Sequence, residues 1–306
     1  MLQQTSIFSL QMISKTLLFI FFCCTVSDLF GQISYSGFIG KYPIELLTNA
    51  HYEGTASAIY VYKNHNEPIV ISGQLSKGVL KLYEKDKQDT NTASLIFEKF
   101  DTKTKTLKGV WTDLKTNKQY KIELVKDFDL DHTDSTDSEN LEIIQPVSLP
   151  NSYFKLLVSK DKNHYSQRVT GIKIIDKKTN KLIQKIDLHC QLWGLDNVSV
   201  GDFNFDGKTD FSVFESSYAG PNTSSLYFLY DSSKNQYFDS GFTGVSLGFD
   251  SLEKRIFEHN QCCAGQIHTT ATYKVEANKM VLIEEHCFIW DEEKQDLVER
   301  EMKDCQ

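Results

Sequence analysis

From residue 33 to about 126, apolar and polar positions alternate, with turn residues breaking the alternation at short intervals. "YPIELL", "SAIYVYK", "PIVISGQL", "GVLKLYE", "SLIFEKF", "LKGVWTDL" and "YKIELV" each carry the two-residue period of a strand with one buried face. The breaks hold the residues that turns require: Gly54, Asn64 to Asn66, Lys77-Gly78, Asp101 to Thr104 and Thr116-Asn117. No segment sustains a helical period. The pattern predicts an antiparallel meander of seven or eight strands over 32–126, closed or nearly so, because open strand edges invite pairing with other chains.

The alternation gives way to "KDFDLDHTDSTDSENLE". Asp127, Asp129, Asp131, Asp134, Asp137, Glu139 and Glu142 repel one another, and the stretch 127–142 reads as a solvated, flexible linker. An acidic docking tail or weak calcium sink is the functional alternative. Strands resume over 143–306 with "YFKLLVS", "GIKIID", "LIQKIDL", "FSVFES", "SLYFLYD", "TATYKVE", "MVLIEEHCFIW" and "LVERE". Polar turns such as "KKTNK", "DSSKNQ", "EANK" and "DEEKQD" separate them. The expected fold class is all-β: a barrel-like module, then a domain of paired strands, either a sandwich or an irregular propeller.

Composition adds limits. With 306 residues, 40% of them apolar, the chain can bury one large or two ordinary cores. A formal net charge of −8 disfavours nucleic acid and anionic membranes as main partners. Lys15 followed by "LLFIFFCCTV" reads as an export signal over 1–31, with Ser27 and Gly31 offering cleavage points and Met12 the better start. A retained anchor or a lipid on Cys23 or Cys24 are the alternatives. No other long apolar run predicts a span in the mature chain. Export places Cys190, Cys262, Cys263, Cys287 and Cys305 in an oxidising compartment, where cysteines are disulfide partners first. The number is odd, so one is left over. The vicinal Cys262 and Cys263 cannot easily share one partner strand. One is expected to face Cys287 and the other Cys305 or Cys190. A zinc site of Cys190, Cys262, Cys287 and His189 or His268 is a weaker reading.

"DFNFDGKTD" has the chemistry of a calcium loop. Asp202, Asn204 and Asp206 offer hard oxygens, Gly207 allows the sharp turn, Lys208 offers its carbonyl, and Asp210 closes the site directly or through water. The twelfth place holds Val213 where an EF-hand needs Glu, and strand-like segments flank the loop. Phe203 and Phe205 alternate with the ligands and can point into a core. Such a closed loop is structural; an exposed polar turn is the plain alternative. One strand later, "ESSYAGPNTSSLYFLYD" presents Ser216, Ser217, Tyr218, Gly220 and Asn222 on a small-residue loop with one aromatic near its middle. A loop braced by a nearby metal loses little entropy on binding, and tyrosine supplies area and a hydroxyl.

"IIDKKTNKLIQKI", "DFNFDGKTDF", the small-residue loop and "YFLYDSSKNQYF" together resemble periplasmic inhibitors of invertebrate-type lysozymes. They are similar also to the immunity proteins that block peptidoglycan hydrolases delivered by bacterial type IV secretion. The metal loop resembles those of integrin-type repeats. The resemblance covers roughly residues 150 to 290. It implies calcium as the bound ion, a peptidoglycan hydrolase as partner, and a loop bearing Ser and Tyr that enters the glycosidase cleft. Ser217 and Tyr218 are the nearest match, with Ala219-Gly220-Pro221 departing from a glycine-serine-rich tip. "GFIGKYPIEL" resembles β modules of exported Bacteroidetes proteins.

No catalytic set is expected. His164, His189, His259, His268 and His286 have no accompanying G-x-S-x-G, H-E-x-x-H or phosphate-cradling loop. The chain therefore reads as a binder rather than an enzyme. An extracellular carbohydrate-binding or scaffold protein, with Tyr60, Tyr62 and Trp111 touching sugar, is the alternative.

Overall fold

The computed structural model describes residues 32–51, 53–63, 65–130, 138–160 and 167–305. The expected export signal, with Cys23 and Cys24, and His164 lie outside the described residues. Eight antiparallel strands form a closed barrel in meander order: β1 (Gln32–Ile39), β2 (Tyr42–Ala50), β3 (Thr55–Tyr62), β4 (Ile69–Ser76), β5 (Val79–Lys85), β6 (Asn91–Phe97), β7 (Thr106–Asp113) and β8 (Gln119–Asp129). Closure comes from β8 pairing back onto β1, with Phe38 opposite Glu123 and Ile39 opposite Ile122. Ile33, Tyr35, Ile44, Leu46, Ile71, Leu82, Leu95, Phe97 and Ile122 fill the interior, the inward half of the alternation read along the chain. The barrel is a packed core, not a pore.

Three further antiparallel sheets follow in chain order, which is the propeller-like alternative rather than a two-sheet sandwich. The first holds β9 (Ser138–Ser148), β10 (Ser152–Lys160), β11 (Arg168–Asp176) and β12 (Leu182–Gln191). The second holds β13 (Val198–Gly201), β14 (Asp210–Ser217), β15 (Thr223–Asp231) and β16 (Gln236–Asp239). The third holds β17 (Gly248–Asp250), β18 (Arg255–Cys262), β19 (Ile267–Glu276), β20 (Lys279–Asp291) and β21 (Asp296–Arg300). One apolar cluster joins Phe154, Ile172 and Ile174 of the first sheet to Phe211, Val213 and Phe228 of the second, and takes in Leu47, Ile59 and Val61 from the barrel. Phe211 is its hub, with ring centroids 5.1 Å from Phe154 and 4.9 Å from both Phe228 and Tyr237. A smaller cluster of Phe203, Tyr227, Leu229, Phe242 and Ile256 joins the second sheet to the third.

Strands occupy both ends of the acidic stretch expected as a linker. β8 runs through Asp129 and β9 starts at Ser138, while residues 131–137 lie outside the described set. Glu142 does not sit in a solvated tail. It pairs with Lys155, at 3.7 Å, and with Lys173 across the sheet. Lys155 also reaches Glu45 of the barrel at 2.9 Å.

A repeated turn explains why the later strands fold as hairpins. Asp113, Asp176, Asp231, Asp250 and Asp291 each accept amides from two and three residues ahead. Four residues after each aspartate comes a left-handed residue: Asn117, Asn180, Asn235, Lys254 and Gln295. The carboxylate satisfies the turn's amides, and the left-handed residue reverses the chain.

Candidate functional site

The segment between β13 and β14 places its aromatic and polar residues on opposite sides, as the spacing predicts. Phe203 is buried against Tyr227 and Phe249, with centroids at 5.1 and 4.8 Å, and Phe205 packs against the same core. Between them the polar side chains fold over the turn. Asp202 accepts the amides of Asp206 at 2.9 Å and Gly207 at 2.8 Å, and Asn204 shares the first of these at 3.2 Å. Phe205 and Gly207 are left-handed, at φ 62° and 83°; the second is a conformation that glycine adopts without cost. Asn204 also donates to Asn278 in the β19–β20 turn at 2.9 Å, which ties the loop to the third sheet.

Asp210, expected to complete a metal site, is tied to the backbone here. It is buried, and both of its oxygens accept backbone amides, from Phe203 at 3.0 Å and Tyr230 at 2.9 Å. Burial pushes its carboxyl up to about 6, against those amide donors and with the fields of Asp206 and Asp202 adding to the rise. Lys208 turns its ammonium onto Asp206 at 3.2 Å. The hard oxygens of Asp202, Asn204 and Asp206 suit calcium in type. As placed, no three His, Cys, Asp or Glu side chains among the described residues gather into a metal cluster. A cation would have to displace the Lys208 ammonium and recruit backbone oxygens.

β14 leads from this loop to Ser216, Ser217 and Tyr218. The turn to β15 is held at several points. Tyr218 donates its amide to the Asn222 carbonyl at 2.9 Å, and Gly220 takes the left-handed φ of 72° that the tip needs. Ser217 donates its amide to Gln191 at 3.1 Å, and the Ser216 and Ser224 hydroxyls meet at 3.2 Å. Asn222 is buried. Its Nδ2 donates to Asn260 Oδ1 at 2.9 Å and to the Gln261 carbonyl at 2.7 Å, while its Oδ1 accepts the Gln261 amide at 3.1 Å. Of the predicted loop residues, Asn222 is therefore a brace onto β18. Tyr218 is the exposed element, at 53% of its surface, with its hydroxyl 3.2 Å from Ser224.

The structure adds neighbours that the sequence reading left out. Trp193 is 55% exposed and packs on Phe214 of β14, with centroids 5.1 Å apart. A buried amide network holds its segment: Asn197 accepts the Trp193 amide at 2.6 Å and donates its own amide to Gln145 at 3.1 Å. Gln191, two residues before Trp193, accepts the amide of Ser217, next to Tyr218, so the segments that carry these two exposed aromatics are joined. Gln191 and Ser216 also line a concavity of about 420 Å³, together with Arg168, His189, Leu192 and Glu215 among others. Arg168 Nη1 and His189 Nε2 meet there at 2.7 Å. A lone tryptophan after a strand, in "HCQLW", was the available signal.

The cysteines pair otherwise than expected. Cys287 bonds to Cys305, not to the vicinal pair. Cys190 is a buried thiol in β12, pushed up to about 11 by burial and by the nearby Glu215 carboxylate. With Cys287 in a disulfide and Cys190 in the first sheet, the zinc arrangement does not assemble. The histidines have separate partners: His259 and His268 meet each other at 3.1 Å, and His286 meets Glu299 at 2.7 Å.

In the barrel, Tyr60, Tyr62 and Trp111 do come together, but Tyr60 is buried in the barrel core and does not face outward to a sugar, while Tyr62 and Trp111 are half-buried against it. Tyr60 and Trp111 both donate to Glu84 Oε1 at 2.6 Å, and Tyr42 and Tyr120 extend the cluster at centroid distances of 5.8 to 6.2 Å.

No protein-family model matches the chain, and no curated protein matches it. Among solved structures, it is similar to a Xanthomonas type IV secretion system related protein. That likeness has 14% identity and a TM-score of 0.35, over 54% of this chain and 97% of the other. A second likeness is to the β-propeller domain of the Trilobed protease from Pyrococcus furiosus, which has an open velcro topology. It has 12% identity and a TM-score of 0.24, over 88% of this chain and 84% of the other. Both likenesses are too distant to carry function. Among the described residues no helix is long and apolar enough to cross a membrane.

Proposed function

We propose that this chain is an exported binding protein that inhibits a lysozyme-like peptidoglycan hydrolase, with Tyr218, Ser217 and Trp193 as its contact surface. The observation that carries this reading is the exposed Tyr218 ring on a turn fixed at both ends, by Gln191 on one side and by Asn222 on β18 on the other. Such a turn binds without first having to be ordered. The resemblance of residues 150 to 290 to lysozyme inhibitors and immunity proteins supplies the partner class. An aromatic next to a hydroxyl suits a sugar-binding cleft, where ring and hydroxyl replace a saccharide. The protein acts by occlusion and needs no catalytic group of its own. Calcium, in this reading, binds Asp202, Asn204 and Asp206 and stiffens the entry to β14. The Cys287–Cys305 bond accords with an oxidising compartment.

Inhibition assays against lysozymes of several types, with wild type and with Tyr218→Ala and Trp193→Ala, test the proposal. Inhibition by the wild type that either change weakens supports it, and a wild type that leaves every hydrolase active contradicts it. The partly exposed aromatics Tyr42, Tyr62, Trp111 and Tyr120 near Glu84 favour a second reading, carbohydrate binding by the barrel. Glycan binding lost in Trp111→Ala and retained in Tyr218→Ala would point there.

A further inference from the structure

Among the described residues, with Cys287 and Cys305 bonded and Cys190 buried, Cys262 and Cys263 remain as two exposed thiols adjacent in sequence. Adjacent side chains on a regular strand point to opposite faces. Here their Sγ atoms stand 2.9 Å apart. The backbone accounts for this. Cys262 ends β18 in an extended conformation, at φ −132° and ψ −179°. Cys263, Ala264 and Gly265 then run left-handed, at φ 56°, 56° and 83°. Only the last is a glycine, so two residues hold a conformation that their side chains disfavour. The strained turn carries the second sulfur back beside the first. An ordinary disulfide spans about 2.05 Å, so bond formation needs less than one further ångström of approach.

We propose that Cys262 and Cys263 form a vicinal disulfide by exchange with a small-molecule disulfide, and that this bond fixes the strand end on which Asn222 is held. One cysteine thiolate attacks the small disulfide and releases one of its halves as a thiolate. The neighbouring sulfur then attacks the mixed disulfide and releases the other half. The two cysteines lose two electrons, the small disulfide gains them, and the two cysteine protons end on the released thiols. The neighbouring sulfur is already in place, so the second step outruns accumulation of the mixed disulfide.

The coupling runs through one residue. Gln261, next to Cys262, donates its amide to Asn222 Oδ1 at 3.1 Å and accepts Asn222 Nδ2 at its carbonyl at 2.7 Å. A small ring closed through the Cys262–Cys263 peptide removes backbone freedom directly beside those two groups. Oxidation therefore tightens the anchor of the Tyr218 turn, whatever that turn binds.

The test uses the full chain, incubated with oxidised or reduced glutathione, alkylated, and examined by peptide mass and amide exchange. The expected oxidised peptide bearing Cys262 and Cys263 is lighter by two hydrogens and carries neither alkyl group nor glutathione. The Gln261 amide then exchanges several-fold more slowly. In Cys263→Ser, glutathione is retained on Cys262 and the slowing is absent. Two alkyl groups or a retained glutathione on the oxidised wild type would overturn the bond. A formed bond with unchanged Gln261 exchange would overturn the coupling. Neither readout involves a hydrolase, so failure here is separate from failure of the inhibition proposal.

Discussion

Replacing Asn222 by alanine removes the clamp that holds the candidate binding turn on the third sheet. Three hydrogen bonds disappear together, with Nδ2 at 2.9 Å from Asn260 Oδ1, Nδ2 at 2.7 Å from the Gln261 carbonyl, and Oδ1 at 3.1 Å from the Gln261 amide. A typical bond contributes about 1 kcal/mol net, and a buried group left without a partner costs about 1–3 kcal/mol. Gln261 is only half-buried, so water recovers part of that cost. The expected loss is about 2–3 kcal/mol, or roughly a 30- to 150-fold easier opening of the turn. Asn222→Asp keeps the size and one acceptor but sets oxygen against the Gln261 carbonyl, and is expected to cost at least as much. Urea denaturation gives the global figure, and amide exchange over residues 216–224 reports the local opening. Both variants within about 0.5 kcal/mol of wild type, with unchanged exchange, would refute the view that Asn222 clamps the turn.

Other outcomes follow from the same contacts. Phe211→Ala, at the shared core of the first two sheets, is expected to cost about 3–5 kcal/mol in denaturant unfolding, whereas Phe38→Ala on the barrel exterior costs far less. Amide and hydroxyl donors hold the Asp113, Asp176 and Asp231 carboxyls below their ordinary range, chiefly Thr116, Thr179 and Ser233. A lowered folded-state value means a stabilisation that is present above the unfolded value of about 4 and lost as pH falls through the folded value. The urea midpoint should therefore drop below about pH 4, and changing all three residues to Asn should flatten that drop. Calcium is expected to raise the melting temperature, EDTA to lower it, and Asp206→Ala to abolish the difference. An EDTA-indifferent wild type argues against the metal.

Much of the architecture was legible because the strands obey a two-residue period. The barrel strands from Tyr42 onward were marked by apolar alternation, and their breaks fell where Asn66, Lys77 and Asn117 now reverse the chain with positive φ. β9 was hidden because its acids suggested solvent. Its Leu141, Ile143 and Ile144 pack on the core while Glu142 finds lysines on neighbouring strands, a pairing that lies across the sheet and not along the chain. β16 and β17 are too short to show a period. The turn carrying Tyr218 was readable from its small residues. The buried role of Asn222 was not, since it depends on β18, which lies 38 residues further on. That Asp210 is buried and accepts the Phe203 and Tyr230 amides was not legible either, because spacing alone cannot tell an inward carboxylate from an outward one. The cysteine pairing depends on the turn after β21 folding back onto β20, and on β19 lying between β18 and β20, which no local pattern encodes.

Hydrolase binding through Tyr218 is tested most directly by calorimetric titration of lysozymes of the invertebrate, chicken and goose types with the wild-type chain and with Tyr218→Ala. A saturable complex with at least one hydrolase is expected, weakened tenfold or more, about 1.4 kcal/mol or above, when the ring is removed. No complex with any of them, or a complex indifferent to Tyr218→Ala, would contradict it.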